Sequence, residues 1–129
     1  MRRFFLICLG GAIGTGLRYL VNIWAAKTLG IAFPFGTLIV NVVGCFLIAA
    51  VMHVSLATTY VAPTFRLTLT AGFIGGLTTY SSFNYETTKL LQERAWGASL
   101  LYFASTAAIC FAAGILGIAT ARSIVGSAN

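Results

Sequence analysis

The chain has 129 residues, of which 59% are hydrophobic and only 8% are charged. Soluble domains usually carry about a quarter charged residues, so this composition excludes an ordinary water-soluble domain and favours lipid as the solvent. The formal net charge of +6 comes from basic residues scattered singly along the chain. Because they form no basic stripe, we exclude nucleic acid as a partner.

Four apolar segments follow one another along the chain, and each is long enough to cross a bilayer as a helix. Lipid cannot hydrogen-bond to exposed backbone groups, so the spanning segments are predicted to be helices. We therefore predict an all-α membrane protein with a single four-span transmembrane domain over residues 1–129. The predicted spans cover residues 4–26, 36–55, 65–91 and 96–121.

The first span contains closely spaced glycines and an arginine. Gly10 and Gly14 form a small-xxx-small pair of the kind that lets helices approach closely. Arg18 lies toward the end of the span, where an intramembrane cation is a candidate functional group. It could draw anions into a vestibule, or it could have a structural role, in which it snorkels to the interface or neutralises a carboxylate such as Glu86. The sequence leaves both roles open.

The second span carries an amide side chain, Asn41, within an otherwise apolar run. A carboxamide in the middle of a membrane is costly unless it is paired. Asn41 could donate hydrogen bonds to an anion, or it could make an interhelical bond that only fixes packing. Both interpretations place it inside the bundle.

The third span is interrupted by a glycine- and hydroxyl-rich sequence, Gly75-Gly76-Leu77-Thr78-Thr79-Tyr80-Ser81-Ser82. Adjacent glycines followed by β-branched and hydroxyl residues weaken an α-helix, so we predict that the third helix breaks in the middle of the membrane. Backbone carbonyls freed at Gly75 and Thr78 would suit a hard cation. The alternative is a kinked helix whose hydroxyls bond back to its own backbone.

A polar and aromatic stripe follows the predicted break. Thr79, Ser82, Phe83 and Glu86 share one helical face by their spacing, and Tyr80 neighbours Phe83 at i, i+3. Hydroxyl hydrogens and the positive edges of aromatic rings both attract negative charge. This stripe therefore favours contact with a small anion over contact with lipid.

The basic residues at or near the ends of the spans are divided almost evenly between the two predicted sides of the membrane. One side holds Arg2, Arg3, Arg66 and Arg122, and the other holds Lys27, Lys89 and Arg94. So small a bias permits insertion in either orientation, and two oppositely oriented copies can then pair about an axis in the membrane plane. The alternative is noise in a small count.

Three motifs together resemble the Fluc (CrcB) fluoride channels over nearly the whole chain. They are Gly10-Gly11-x-x-Gly14-x-x-x-Arg18, Gly36-Thr37-Leu38-x-Val40-Asn41 and Gly75-Gly76-Leu77-Thr78-Thr79-Tyr80-Ser81-Ser82-Phe83. The resemblance implies an antiparallel, dual-topology homodimer in the bacterial inner membrane that lets fluoride leave the cell passively and lowers cytoplasmic fluoride. It also implies a structural Na⁺ at the dimer axis, not transported, held by the backbone carbonyls of Gly75 and Thr78. The expected fluoride pathway comprises Arg18, Asn41, Thr79, Tyr80, Ser81, Ser82, Phe83 and Glu86.

Two positions depart from the pattern of that family. Tyr80 stands where phenylalanine is usual, and Cys110 stands where a small hydroxyl residue is expected. Tyrosine keeps the ring edge but adds a hydroxyl, and a thiol is a weaker donor than a hydroxyl. Neither change touches the residues expected to hold sodium.

Other classes of protein fit the sequence less well. A small multidrug exporter would need a carboxylate in the first span, and this span has none. A non-conducting assembly subunit would leave the polar stripe of the third span unexplained. An enzyme is not expected, because with only Glu86 and Glu93 as acids the chain has almost no material for general acid–base chemistry.

Overall fold

The computed structural model describes residues 1–59 and 61–126, and this part of the chain contains helices but no strand. Three of its helices are long and apolar enough to cross a membrane, namely α1, α2 and α6. In chain order the elements are α1 (Arg2–Leu29), α2 (Phe35–Ala57), α3 (Pro63–Leu67), a π-helical segment (Thr68–Ile74), α4 (Gly75–Leu77), α5 (Tyr80–Gln92) and α6 (Trp96–Gly126). The all-helical membrane architecture agrees with the prediction.

The long helices match the predicted spans but run slightly beyond them. Each continues past its predicted span at one or both ends, because backbone hydrogen bonding does not stop where the hydrophobic stretch stops. Gly30 ends α1 with a positive φ of 90°, a conformation that glycine adopts without a Cβ clash. Pro34 then stands immediately before α2, where its missing N–H costs little.

The third apolar segment is not one helix. Helical conformation is continuous from Pro63 to Leu77, and it includes a π-helical turn that the sequence did not predict. Thr78 (φ −82°, ψ 157°) and Thr79 (φ −154°, ψ 109°) are extended, and α5 begins at the next residue. Gly75 itself is helical (φ −61°, ψ −35°), so the interruption lies three residues after the first of the paired glycines.

The glycines of the third segment are used for close packing against α1. A Cβ added to Gly72 would lie 2.7 Å from the carbonyl oxygen of Ile7, and one added to Gly10 would lie 2.9 Å from that of Thr68. Distances this short mean that the two backbones touch directly, as in small-xxx-small interfaces. Gly10 on α1 and Gly72 on the third segment therefore face each other.

The second packed pair of the bundle is α2 with α6, which share the most extensive contact in the described structure. Gly117 on α6 lies against the carbonyl of Phe46 on α2. The most deeply buried side chains, including Tyr102 and Val40, lie where this pair meets the third segment. Elements distant in sequence thus converge around the extended residues Thr78 and Thr79.

Candidate functional site

Asn41 on α2 holds the interruption of the third segment through two hydrogen bonds. Its Oδ1 accepts from the backbone N–H of Thr79 at 2.8 Å, and its Nδ2 donates to the carbonyl of the same residue at 3.1 Å. Both residues are buried. The amide therefore replaces the helical partners that Thr79 has lost, which is how extended backbone is tolerated at depth in a bundle. One of the two Nδ2 hydrogens remains for another acceptor.

The side chain of Thr79 caps α5. Its Oγ1 accepts from the backbone N–H of Ser82 at 3.2 Å and donates to the Ser82 hydroxyl at 3.0 Å. The Ser81 hydroxyl lies 3.3 Å from the same oxygen. A threonine at the N-cap satisfies an N–H that has no partner inside the helix. The hydroxyl groups of Thr79, Ser81 and Ser82, which were expected on the fluoride pathway, thus form one cluster at the N-terminus of α5.

The interruption frees two backbone carbonyls, at Gly75 and Thr78. In a continuous helix the N–H of Thr79 would donate to the Gly75 carbonyl, but that N–H donates to Asn41 instead. The Thr78 carbonyl accepts from Nη1 of Arg18 at 3.2 Å. A carbonyl oxygen has two lone pairs, so this bond leaves one available. Arg18 therefore contacts the interruption itself.

Glu86 is held by two hydroxyl groups. Its Oε1 accepts from Thr37 at 2.8 Å and its Oε2 accepts from Tyr102 at 2.7 Å. Thr37 and Tyr102 are almost completely buried, with exposed fractions of 1% and 0%. In the described part of the chain Glu86 makes no ion pair with Arg18. Of the alternatives that the sequence left open for Arg18, neutralisation of Glu86 is not what the structure shows.

Aromatic rings lie beside both polar clusters. The ring centroids of Tyr80 and Phe83 are 5.7 Å apart, and Phe83 meets Tyr102 edge-on at 5.3 Å. Phe103 stacks on the other side of Phe83 at 5.9 Å. Phe83 is buried, whereas the side chain of Tyr80 is 77% exposed. The two rings are neighbours, as their spacing predicts, but they face different surroundings.

Phe83 lines one cavity, and Glu86, the hydrogen-bond partner of Tyr102, lines another. One, of about 440 Å³, is lined by the side of Phe83 and by Asn41, Thr78, Tyr80 and Thr106. The other, of about 370 Å³, opens among the ends of α1, α2 and α5 and is lined by Thr37 and Glu86. Since Phe83 packs on Tyr102, and Tyr102 donates to Glu86, these two contacts connect the lining of one cavity to the lining of the other.

Comparison with known proteins assigns the chain to a family. The model of the family described as CrcB-like protein, Camphor Resistance (CrcB), matches residues 5–118. The chain belongs to this family. It is 46% identical over 125 residues to a protein of Sorangium cellulosum, covering 97% of this chain and 98% of that one. It is 47% identical over 126 residues to one of Anaeromyxobacter dehalogenans, covering 98% and 100%. Each of these relatives is named a fluoride-specific ion channel FluC.

Membership in the CrcB family and the apolar helices together identify the chain as a multi-pass protein of the cell membrane. The relatives are named as ion channels and none as an enzyme, in agreement with the scarcity of acid–base residues in the sequence. A resemblance to this family, read from three short motifs, is thereby confirmed over most of the chain.

Three polar residues at the site were missed by the sequence-based reasoning. Thr37 and Tyr102 hold Glu86, and Thr106 lines the larger cavity with a buried hydroxyl that has no partner in the described structure. Glu86 was the one indication in the sequence that such hydroxyl groups would be needed, because a carboxylate in an apolar span needs hydrogen-bond donors. Nothing in the sequence indicated which hydroxyls would supply them.

Proposed function

We propose that the protein is a passive, fluoride-selective channel that lets fluoride leave the cell and so lowers its cytoplasmic concentration. The observation that carries this proposal is the interruption at Thr78 and Thr79, which Asn41 holds open beside a cavity lined by neutral donors and aromatic rings. Relatives at 46% and 47% identity, named fluoride-specific channels, support the choice of ion.

The chemistry of the larger cavity suits a small and strongly hydrated anion. A conducting path must replace much of the ion's water shell and still release the ion. The free hydrogen of Asn41 Nδ2, the unpaired hydroxyl of Thr106 and the edge of Phe83 are each weak partners for an anion. No lysine or arginine lines this cavity within the described residues, so no fixed cation would trap the ion there.

The aromatic contact between the cavities supplies a candidate barrier. An ion that passes from the cavity at Glu86 to the cavity at Asn41 must move past Phe83 and Tyr102. Packed rings exclude bulk water, which would oblige the ion to exchange water for protein donors at this point. Selectivity is proposed to arise at this constriction.

A second copy of the chain in the opposite orientation is proposed to complete the pathway. Gly75 is exposed at the interruption, and the exposed ring of Tyr80 leaves one side of the larger cavity without a protein wall. Large apolar side chains are also exposed along α1 and α6, among them Phe4 and Phe111. The near-even division of basic residues between the two ends allows both orientations to insert.

A structural Na⁺ is proposed at the axis of this dimer. The Gly75 carbonyl lacks its helical donor, and the Thr78 carbonyl lies in extended backbone with a lone pair to spare. Neutral carbonyls are suitable ligands for a hard monovalent cation, and two copies would supply four. The described residues contain no cluster of three histidine, cysteine or acidic side chains that would favour another metal. The ion would hold the two interruptions together across the axis.

Fluoride efflux from liposomes that hold the purified protein tests the channel function. With sodium present, a fluoride electrode should report rapid efflux, and chloride-loaded liposomes should release almost nothing. Fluoride efflux no faster than from empty liposomes would refute the proposal. Equal efflux of the two anions would refute selectivity.

Orientation can be tested in intact cells with single cysteines on a cysteine-free background. We expect an impermeant maleimide to label about half of the molecules, both at Gly126→Cys and at Ile31→Cys, since these exposed positions lie at opposite ends of the bundle. Complete labelling at one end and none at the other would show a single orientation and overturn the dual-topology dimer.

A further inference from the structure

Two cysteines distant in sequence come together between α2 and α6. Cys45 on α2 and Cys110 on α6 line the same cavity, and both are free thiols. The helices are close at this level, because a Cβ added to Gly114 would lie 4.0 Å from the Cys45 carbonyl oxygen. The two cysteines lie on different helices and far apart in the sequence, so the pairing is a finding of the tertiary structure.

The pair lies on the boundary of two cavities. Both thiols line the larger cavity with Asn41 and Phe83, and both also line a neighbouring groove of about 510 Å³. The groove is almost entirely apolar, with Ile48 among its lining residues. A neutral, lipid-soluble species can therefore approach the thiols from the outer face of the helix pair without crossing the aromatic barrier.

Among histidine, cysteine and acidic side chains, the two thiols are the metal ligands that line this cavity. Over residues 1–59 and 61–126 no group of three histidine, cysteine or acidic side chains is present, so a four-coordinate zinc site cannot form within one chain. Soft thiolate ligands select soft metal ions. Two sulfur atoms from facing helices match the preference of soft d¹⁰ cations for two-coordinate, linear geometry.

We propose that Cys45 and Cys110 form a binding site for a soft, two-coordinate cation, for which mercuric ion is the probe. Mercuric chloride enters as a neutral molecule, and two Hg–S bonds form while two Hg–Cl bonds and two S–H bonds break. The products are a neutral Hg(SR)₂ group, two protons and two chloride ions, with no change of oxidation state. A neutral product suits an apolar site, where a net charge would be costly.

Occupancy of this site is expected to obstruct ion flow. The metal would lie against the cavity that contains Asn41, Phe83 and the unpaired Thr106 hydroxyl. This consequence rests on the proposed channel function, whereas metal binding does not. The two parts are therefore measured separately.

Binding is tested on protein that carries Cys8→Ala, since Cys8 is the third cysteine and is exposed. After one equivalent of mercuric chloride and gel filtration in excess glutathione, we expect one mercury per chain, two sulfur neighbours by X-ray absorption, and protection of both thiols from maleimide. Adding Cys45→Ala or Cys110→Ala should lower the retained mercury at least tenfold. Serine at each position serves as a near-isosteric second variant if alanine disturbs folding.

Several results would overturn the binding site. Two mercury ions per chain would show independent thiols, and no retained mercury would show that the thiols cannot chelate. Loss of both thiols without bound mercury would show oxidation to a disulfide.

In the flux experiment, each protein is compared with its own rate before mercury is added. We expect at least a tenfold loss with both cysteines present and little change with either one replaced. Retained mercury with undiminished fluoride flux would overturn the obstruction alone, and a protein that conducts no fluoride would still report on metal binding.

Discussion

Replacement of Asn41 by leucine tests the central geometry of the site. Leucine has a similar volume but cannot form either hydrogen bond to the backbone of Thr79. The N–H and the carbonyl of Thr79 would both remain buried without a partner. Each buried, unpaired polar group costs roughly 1–3 kcal/mol, so we expect a loss of about 2–6 kcal/mol in the free energy of unfolding.

Loss of the two hydrogen bonds of Asn41 should also reduce the fluoride flux. Because 1.4 kcal/mol corresponds to a factor of ten, even about 2 kcal/mol would reduce the population of the held-open conformation roughly 30-fold. Fluoride efflux from liposomes should therefore fall by about that factor or more. Unfolding in detergent, followed by circular dichroism, measures the stability, and the fluoride electrode measures the flux.

Two further variants make the test specific. Asn84→Leu is the matched control, since Asn84 is exposed on α5 and the same chemical change there should alter neither quantity. Asn41→Asp keeps an acceptor for the N–H of Thr79, but when ionised it has no donor for the carbonyl. It should therefore lose at least as much stability as Asn41→Leu, because an unpaired charge is costly at a buried position, and it should lose nearly all of the flux, because its charge repels anions. Stability within about 1 kcal/mol of the Asn84→Leu protein, together with unchanged efflux, would refute the reasoning for Asn41→Leu.

Three other predictions address the surroundings of the interruption. Gly44→Ala should cost about 1–3 kcal/mol and reduce flux, because a Cβ at Gly44 would overlap the side chain of Thr78. Gly16→Ala, in open space, should change neither the unfolding free energy nor the efflux. Tyr102→Phe should cost about 1.5–3 kcal/mol by removing a donor to Glu86, and a thermal midpoint equal to wild type would contradict that role. Replacing sodium with a large organic cation should lower the dimer fraction in analytical ultracentrifugation, and an unchanged fraction would argue against the sodium site.

The sequence was most informative about properties that depend on the local chain. A low charged fraction and apolar runs of bilayer length are sufficient to require helices in lipid, and three of the four segments are single long helices. The i, i+3 spacing also brought the rings of Tyr80 and Phe83 together, because helical geometry alone sets that distance. Such features need no knowledge of distant residues.

The position of the interruption shows where local reasoning is limited. The glycine pair predicts a weakened helix near Gly75, but the glycines are helical and the backbone becomes extended at Thr78 and Thr79. Of the two, Gly76 is used for contact with the backbone of Gly11 on α1, a role that depends on a distant neighbour in the sequence. The position of the extended backbone depends instead on Asn41, whose side chain accepts a hydrogen bond from the backbone N–H of Thr79.

The sequence by itself indicated a helical membrane protein with a polar, glycine- and hydroxyl-rich third segment. Only the tertiary structure decided which groups form hydrogen bonds with the polar groups of that segment. Thr37 and Glu86 are 49 residues apart and Asn41 and Thr79 are 38 apart, and no periodicity of a single helix connects such pairs. No helical periodicity connects Cys45 with Cys110 either, because the two thiols lie on different helices. The physical reason is that polar groups withdrawn from water must find partners wherever packing places them, and packing is a property of the whole bundle.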